Sequence, residues 1–287
     1  MTEKRHFMDL LLSQWIRGNF VCVGLDSEYG KIPKCVPGTN FRPIVTAFNQ
    51  RLVEATNHLA CAYKPNLAFY LAHGAEGVEA LRQTIADIHA IAPTVPVILD
   101  AKFADIGNTN IGYAEFAFDY LQADALTVNP YLGAEALQPF LTRTDKGIII
   151  LCCTSNSGAG EFQNLSLNST PLYQTVALRV AEQWNKNGNC GLVVGATYPS
   201  KLYAVRQLVG DLPILIPGIG AQGGEVKATI MAGRDSQSTG IIINASRSII
   251  FASLDENFAT AAGEEITRLH TLITQYRFSE PTNTNEC

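Results

Sequence analysis

The sequence predicts an α/β chain folding as a single (β/α)8 barrel, the TIM-barrel architecture, with an extra N-terminal helix. Three observations carry that expectation. Eight short, near-continuous runs of apolar and β-branched residues recur along the 287-residue chain, as strands of a parallel sheet buried on both faces require. Segments of helical periodicity separate most of these runs, the alternation of a sheet covered by helices. Polar or charged residues then appear abruptly where several runs end, the place where such barrels carry functional groups. Eight units, rather than length, set the domain count, because barrels of about 250 residues form one domain. The expected division is a helix packed on the barrel over residues 1–18, the barrel over 19–277, and a flexible C-terminal tail over 278–287.

Residues 1–18 carry Phe7, Leu10, Leu11, Leu12, Trp15 and Ile16 at helical spacing, a face suited to lying across one end of the barrel. The first strand, 20–26, is oily until Asp26. Residues 27–43, rich in Gly and Pro, read as a long irregular loop. A helical pattern over 44–56 leads to a second strand, 59–66, whose end carries Lys64, and a helix over 74–91 follows. The third strand starts at Val97 and a helix over 108–121 comes after it. The fourth and fifth strands, 125–130 and 147–153, follow with no helix assigned between them. Residues 154–160 form a polar, glycine-containing loop long enough to act as a lid. A helix over 172–184, a strand over 191–197, a short helix over 200–209 and a seventh strand over 213–217 come next. A glycine-rich turn over 218–224 opens a helix to about residue 231. The eighth strand, 240–244, runs into Ala245-Ser246-Arg247-Ser248, and a last helix spans 257–275.

Composition narrows the function classes. At 47% hydrophobic and 16% charged residues the chain is globular, and no apolar run approaches the ~18 residues of a membrane span. The charged N-terminus is followed by an apolar run too short for a signal-peptide core, so a cytoplasmic protein without a membrane partner is expected. A net charge of -5 without a Lys/Arg cluster gives no footprint for nucleic acid. Seven cysteines, an odd number with no CxxC spacing, read as buried free thiols, and five scattered histidines do not suggest a metal site.

The chain is organised around residues 97–109, Val-Ile-Leu-Asp-Ala-Lys-Phe-Ala-Asp-Ile-Gly-Asn-Thr. An oily strand ends in Asp100, Lys102 and Asp105. Strand alternation places Asp100 and Lys102 on one side, and ionisable groups of mixed sign there are costly to bury unpaired. One alternative is a purely structural ion pair, Asp100 with Lys102, with Asp105 as an ordinary helix N-cap. Beyond the seventh and eighth strands, Gly218, Gly220, Gly223 and Gly224 leave amides free for an anion, and Arg247 offers a bidentate fork. That is where barrels of this kind commonly bind phosphate. Taken singly, tight turns and a surface ion pair explain the same residues.

Asp100-Ala101-Lys102-Phe103-Ala104-Asp105 resembles the DxKxxD signature of orotidine 5'-phosphate decarboxylases, and the likeness extends over nearly the whole barrel. Asp26, Lys64, the Thr154-Ser155-Asn156 loop, Gly218-Ile219-Gly220-Ala221-Gln222 and Arg247 all fall where that family places functional residues. Related sugar-phosphate lyases share the strand-three signature but pair it with an acid and a magnesium ion near the second strand's end. Lys64 at that position resembles the metal-free orotidine enzymes. Gly107 replaces a proline found in many members, and the inserts after Asp26 and over 157–172 are long, which places the chain in a divergent, long-loop branch.

The resemblance implies decarboxylation of orotidine 5'-phosphate to uridine 5'-phosphate, with no cofactor and no metal. It implies catalytic roles for Lys102 as proton donor and for Asp100, Asp105 and Lys64. Substrate would be held by Asp26, Ile106, Thr109, Ser155, Pro217, Gln222, Gly223 and Arg247. Asp105, Ile106 and Thr109 would reach into the neighbouring subunit's site, making the active form a homodimer. A metal-dependent lyase of the same superfamily and a catalytically silent nucleotide sensor are the competing functions.

Overall fold

The computed structural model describes residues 5–219 and 223–279. Its eight main strands are β1 (Val21–Leu25), β2 (Ala60–Pro65), β3 (Ile98–Phe103), β4 (Ala125–Val128), β5 (Gly147–Cys153), β6 (Cys190–Val194), β7 (Ile214–Pro217) and β8 (Ile241–Ala245). All pair in parallel and in chain order from β3 round to β8, which returns onto β1 through Val21↔Ile243 and Cys22↔Asn244, and β1 pairs with β2. Two isolated bridges, Tyr63↔Val97 and Asn66↔Asp100, join β2 to β3 and nearly close the barrel. This is the expected (β/α)8 fold. Strands are apolar on both faces because helices cover the outside while side chains fill the inside; Ile148, Ile150, Ile241, Ile242 and Ile243 are all fully buried.

The two ends of the barrel differ in chemistry. Across the amino ends lies the helix Phe7–Ile16. The Phe7 ring sits where any Cβ on Gly147 would come within 2.2 Å of it. Trp15 Nε1 donates to the Ile241 carbonyl at 3.0 Å, and Gln14 Nε2 to that of Thr94 at 2.8 Å. Beside this helix, Arg5 donates to both carboxylate oxygens of Asp124 at 2.8 Å, while His89 and the Val97 amide complete the cluster. Burial opposes the charge on Asp124, but hydrogen bonds from His89 and Arg5 outweigh it and hold the carboxyl at about 2. The amino end is therefore sealed by packing and one buried ion cluster.

Several elements depart from the periodicity. A helix, Gly133–Leu141, lies between β4 and β5 where none was expected. Its internal Pro139 reads as a breaker, yet Ala136, Leu137, Phe140 and Leu141 bury one face and hold the helix in place. The helix expected from residue 44 begins at Phe41, whose ring stacks on His73 at 3.6 Å. Short helices Leu67–Leu71 and Arg247–Ile250 follow β2 and β8. β4 stops at Val128 and β6 at Val194, short of the expected ends. Residues 154–171 are ordered into two short helical turns and a two-residue hairpin, Ser166–Leu167 with Thr170–Pro171. Of the cysteines, Cys22, Cys61, Cys152, Cys153 and Cys190 are free and buried as expected, whereas Cys35 is exposed. From residue 280 on, the expected tail lies outside the described residues, as do Met1–Lys4.

Asp124 gives the fold a signed pH dependence. Its carboxyl binds a proton more weakly folded than unfolded, so its stabilisation is fully present above about pH 4 and is lost as pH falls toward 2. Asp124→Asn is expected to cost about 3 kcal/mol at neutral pH. Urea unfolding at about pH 7 and about pH 3 checks this: the wild type should lose about 1 kcal/mol more between the two than the variant. Equal losses would contradict the assignment.

Candidate active site

At the carboxyl end, β3 leaves its regular ladder. Pairing with β4 runs Ile98↔Ala125 and Leu99↔Leu126, then resumes only at Phe103↔Val128. Asp100, Ala101 and Lys102 therefore oppose the single residue Thr127, a bulge of the kind found at barrel rims beside active sites. Within it Lys102 has φ +53°, a left-handed conformation disfavoured for a residue with a side chain. Asp100 and Lys102 do meet, as strand alternation predicts, but across a bulge rather than along a regular strand.

A buried anion organises the charges. Asp100 Oδ2 accepts from Lys64 Nζ at 2.9 Å, and Oδ1 accepts from Lys102 Nζ at 2.6 Å and from the Thr127 hydroxyl at 3.0 Å. Burial alone would raise the Asp100 carboxyl, but Lys64 and Lys102 outweigh it and hold it well below the usual range. For Lys64, burial is again the largest influence and works against the charge; Asp100 and Asp26 more than offset it, so the ammonium binds its proton more tightly than an ordinary lysine. The lysines differ in access. The Lys64 side chain is 5% exposed and that of Lys102 46%, so Lys64 is sealed against Asp100 while Lys102 faces the opening.

Lys64, Asp100, Lys102, Thr127, Ser155 and Pro217 line one cavity of about 470 Å³, of a size that suits a small-molecule ligand. Leu151, Val193 and Leu215 supply apolar wall, and Thr154, Asn156 and Gln163 a polar rim. The 154–156 loop can lie over β6 because residue 195 is glycine: a Cβ there would approach Ser155 Cβ to 2.8 Å. Gln163 then ties the insert down, accepting from the Thr154 amide and donating to its hydroxyl, both at 2.8 Å. Just past β1 and on β8, two buried oxygens have no protein partner among the described residues, Asp26 Oδ1 and Asn244 Oδ1. A Cβ on Gly24 would lie 3.2 Å from the Asn244 oxygen, and Asp26, two residues on, acts on the charge of Lys64, so both groups belong to the mouth of the barrel.

Other expected residues lie apart from this cavity. Asp105 Oδ1 accepts from the Ile106 amide at 2.6 Å, and Asn110 clamps the turn by accepting from the Asp105 amide and donating to the carbonyls of Asp105 and Ala136. Asp105 does not cap the following helix Gly107–Ala114, whose N-cap is Ile106. Ile106 is 62% exposed and Thr109 is exposed as well. Arg247 stands exposed at the start of its short helix and forms no ion pair among the described residues. Gly223 opens the helix Gly223–Gly233, and Gln222 lies outside the described residues together with Gly220 and Ala221.

Residues 19–262 match the family model described as Orotidine 5'-phosphate decarboxylase / HUMPS family. The chain belongs to this family. It is 46% identical over 272 residues to an orotidine 5'-phosphate decarboxylase of Ralstonia pickettii, covering 94% of this chain and 99% of that one. A Cellvibrio japonicus relative of the same name is 48% identical over 257 residues, covering 89% and 93%. Among solved structures, the Leishmania donovani OMP decarboxylase superposes with a TM-score of 0.79 at 39% identity, covering 93% of this chain and 99% of that one.

Within this member of the decarboxylase family, the residues missed by reading the sequence are Thr127, Asn110, Gln163 and Asn244. Thr127 and Asn244 left one available signal, a lone polar side chain inside an otherwise oily strand. No local signal marks Gln163, whose partner lies across an insert.

Asp100→Asn tests the charge balance. It leaves the desolvated Lys64 short of its main counter-charge, which lowers its folded-state pKa and destabilises the variant most where lysine is fully protonated. Relative to the wild type, the variant should recover about 1 kcal/mol between about pH 7 and about pH 9.5 in urea unfolding, as Lys64 sheds its proton. A deficit unchanged across that range would contradict the pairing.

Proposed function

We propose that this protein decarboxylates orotidine 5'-phosphate to uridine 5'-phosphate and CO2, in the cytoplasm and as a step of pyrimidine synthesis, without metal or cofactor. The observation that carries this is the exposed Lys102 ammonium held 2.6 Å from a buried carboxylate at the mouth of the barrel. Breaking the bond between pyrimidine C6 and the carboxylate leaves the electron pair on C6 as CO2 departs. An ammonium beside C6 stabilises that localised charge more than it does the delocalised carboxylate of the ground state, and this difference is what lowers a barrier. Lys102 Nζ then gives its proton to C6 and regains one from solvent.

Asp100 has two effects in this scheme. It holds Lys102 in place and keeps the array charged, and it stands near the substrate carboxylate, where two like charges about 4 Å apart repel by about 4 kcal/mol at an effective dielectric of 20. Lys64 bridges Asp100 and the ribose. Asp26 and Asn244, with unpaired buried oxygens, accept from sugar hydroxyls, since a ligand hydroxyl satisfies such groups at little cost. Ser155 binds the pyrimidine edge. Pro217, Gln222, Gly223 and Arg247 hold the phosphate at the ends of β7 and β8.

The site is completed by a second subunit. Asp105, Ile106 and Thr109 sit on an outward turn that Asn110 holds rigid, and Ile106 and Ile111 expose apolar surface beside it. In the homodimer this turn enters the partner's cavity and brings Asp105 to the charge array.

Loss of absorbance of orotidine 5'-phosphate as the purified protein converts it to uridine 5'-phosphate, measured with and without EDTA, tests the reaction. Conversion indifferent to EDTA is expected, and Lys102→Ala should abolish it while uridine 5'-phosphate still binds. Chelator-sensitive activity, or none in folded protein, would point to a metal-dependent lyase. Mixing Lys102→Ala with Asp105→Ala, each inactive alone, should restore up to about a quarter of the wild-type rate, because hybrid dimers regain one intact site. No recovery in exchanged dimers would contradict the shared site.

A further inference from the structure

The three residues of the β3 bulge have lost their ladder partners on β4, and a side chain replaces them. Thr127 Oγ1 accepts from the Ala101 amide at 3.1 Å and from the Lys102 amide at 3.0 Å, and it donates to Asp100 Oδ1 at 3.0 Å. A hydroxyl has one proton and two lone pairs, and here all three are committed to the bulge. Core packing does not call for this group. Thr127 is 1% exposed between Leu126 and Val128, where valine would have the same branched shape and suit the strand equally.

We propose that Thr127 is a positioning residue for the reaction: its hydroxyl holds the bulge in the conformation that sets the Lys102 ammonium against Asp100 and toward the cavity. The proposal rests on the decarboxylase reading above. Lys102 at φ +53° keeps a conformation that persists only where its surroundings impose it. The Thr127 hydroxyl supplies that restraint, by binding the amide of Lys102 itself and the carboxylate oxygen to which the Lys102 ammonium also binds. Without it the Ala101 and Lys102 amides have no acceptor on β4, β3 is free to relax toward an extended path, and the proton donor moves. Displacements of about 1 Å cost on the order of 100-fold in rate.

The test compares wild type, Thr127→Val and Thr127→Ser in steady-state turnover of orotidine 5'-phosphate, with uridine 5'-phosphate affinity measured by calorimetry. The proposal expects Thr127→Val to lose about 100-fold in kcat with product affinity within about threefold of wild type, and Thr127→Ser to stay within about threefold of wild type in both. Wild-type kcat in folded Thr127→Val, or a Thr127→Ser variant as impaired as Thr127→Val, would overturn it, because the hydroxyl would then not be the operative group. A merely structural role would lower the melting temperature of Thr127→Val and leave kcat per folded molecule intact. Should Thr127→Val not fold, Thr127→Cys against Thr127→Ser makes the same comparison with a poor hydrogen-bonding group: loss in the thiol variant alone supports the proposal, and equal rates overturn it. An inactive wild type would instead remove the decarboxylase reading itself, which separates the two failures.

Discussion

Everything at the mouth of this barrel depends on one buried carboxylate. Asp100 can stay ionised at the end of an oily strand only because Lys64, Lys102 and Thr127 donate to its two oxygens. In return it lets Lys64 remain charged while 5% exposed. The array is mutually dependent, since removing Asp100 takes from the buried Lys64 its main counter-charge, and removing Lys64 takes from Asp100 its most deeply buried one. The proposed mechanism draws on that property: charges fixed before substrate arrives do not have to reorganise as the reaction proceeds.

The fold separates this costly arrangement from the parts that stabilise it. At the amino end, the helix Phe7–Ile16 and the Arg5–Asp124–His89 cluster seal the barrel. The carboxyl end gives up regularity instead, with a bulge in β3, a left-handed lysine and, at the ends of β1 and β8, two buried oxygens unpaired among the described residues. The junction of β2 with β3 rests on two isolated bridges, and it is the strand ends on either side of it that carry Lys64 and Asp100. Strain and unsatisfied polarity gather where a ligand can repay them.

Much of this was legible in the sequence because it is written in local patterns. Continuous apolar runs gave the barrel strands within a few residues, and the abrupt charge after Leu99 belongs to residues that line the cavity, Asp100 and Lys102. Features set by partners distant in the chain were less legible. The amides of the bulge find their acceptor in Thr127 on another strand, which takes those of Ala101 and Lys102. The helix Gly133–Leu141 forms around a proline because its buried face outweighs that residue's local preference. Gln163 holds Thr154 across an insert whose own residues carry no regular period. Asp105 stands out by its spacing, yet in the single chain it sits in a turn held by Asn110 and does not line the cavity, so its role rests on the dimer proposed above.

Whether Lys102 stabilises charge at C6 and delivers the proton is measured most directly by exchange of the C6 hydrogen of uridine 5'-phosphate with deuterium oxide. This runs the proton-transfer step backward without any decarboxylation. The wild type should catalyse the exchange, and Lys102→Ala should show none above the protein-free blank although it binds the nucleotide. Equal exchange in the two proteins, or none in an active wild type, would contradict the role assigned to Lys102.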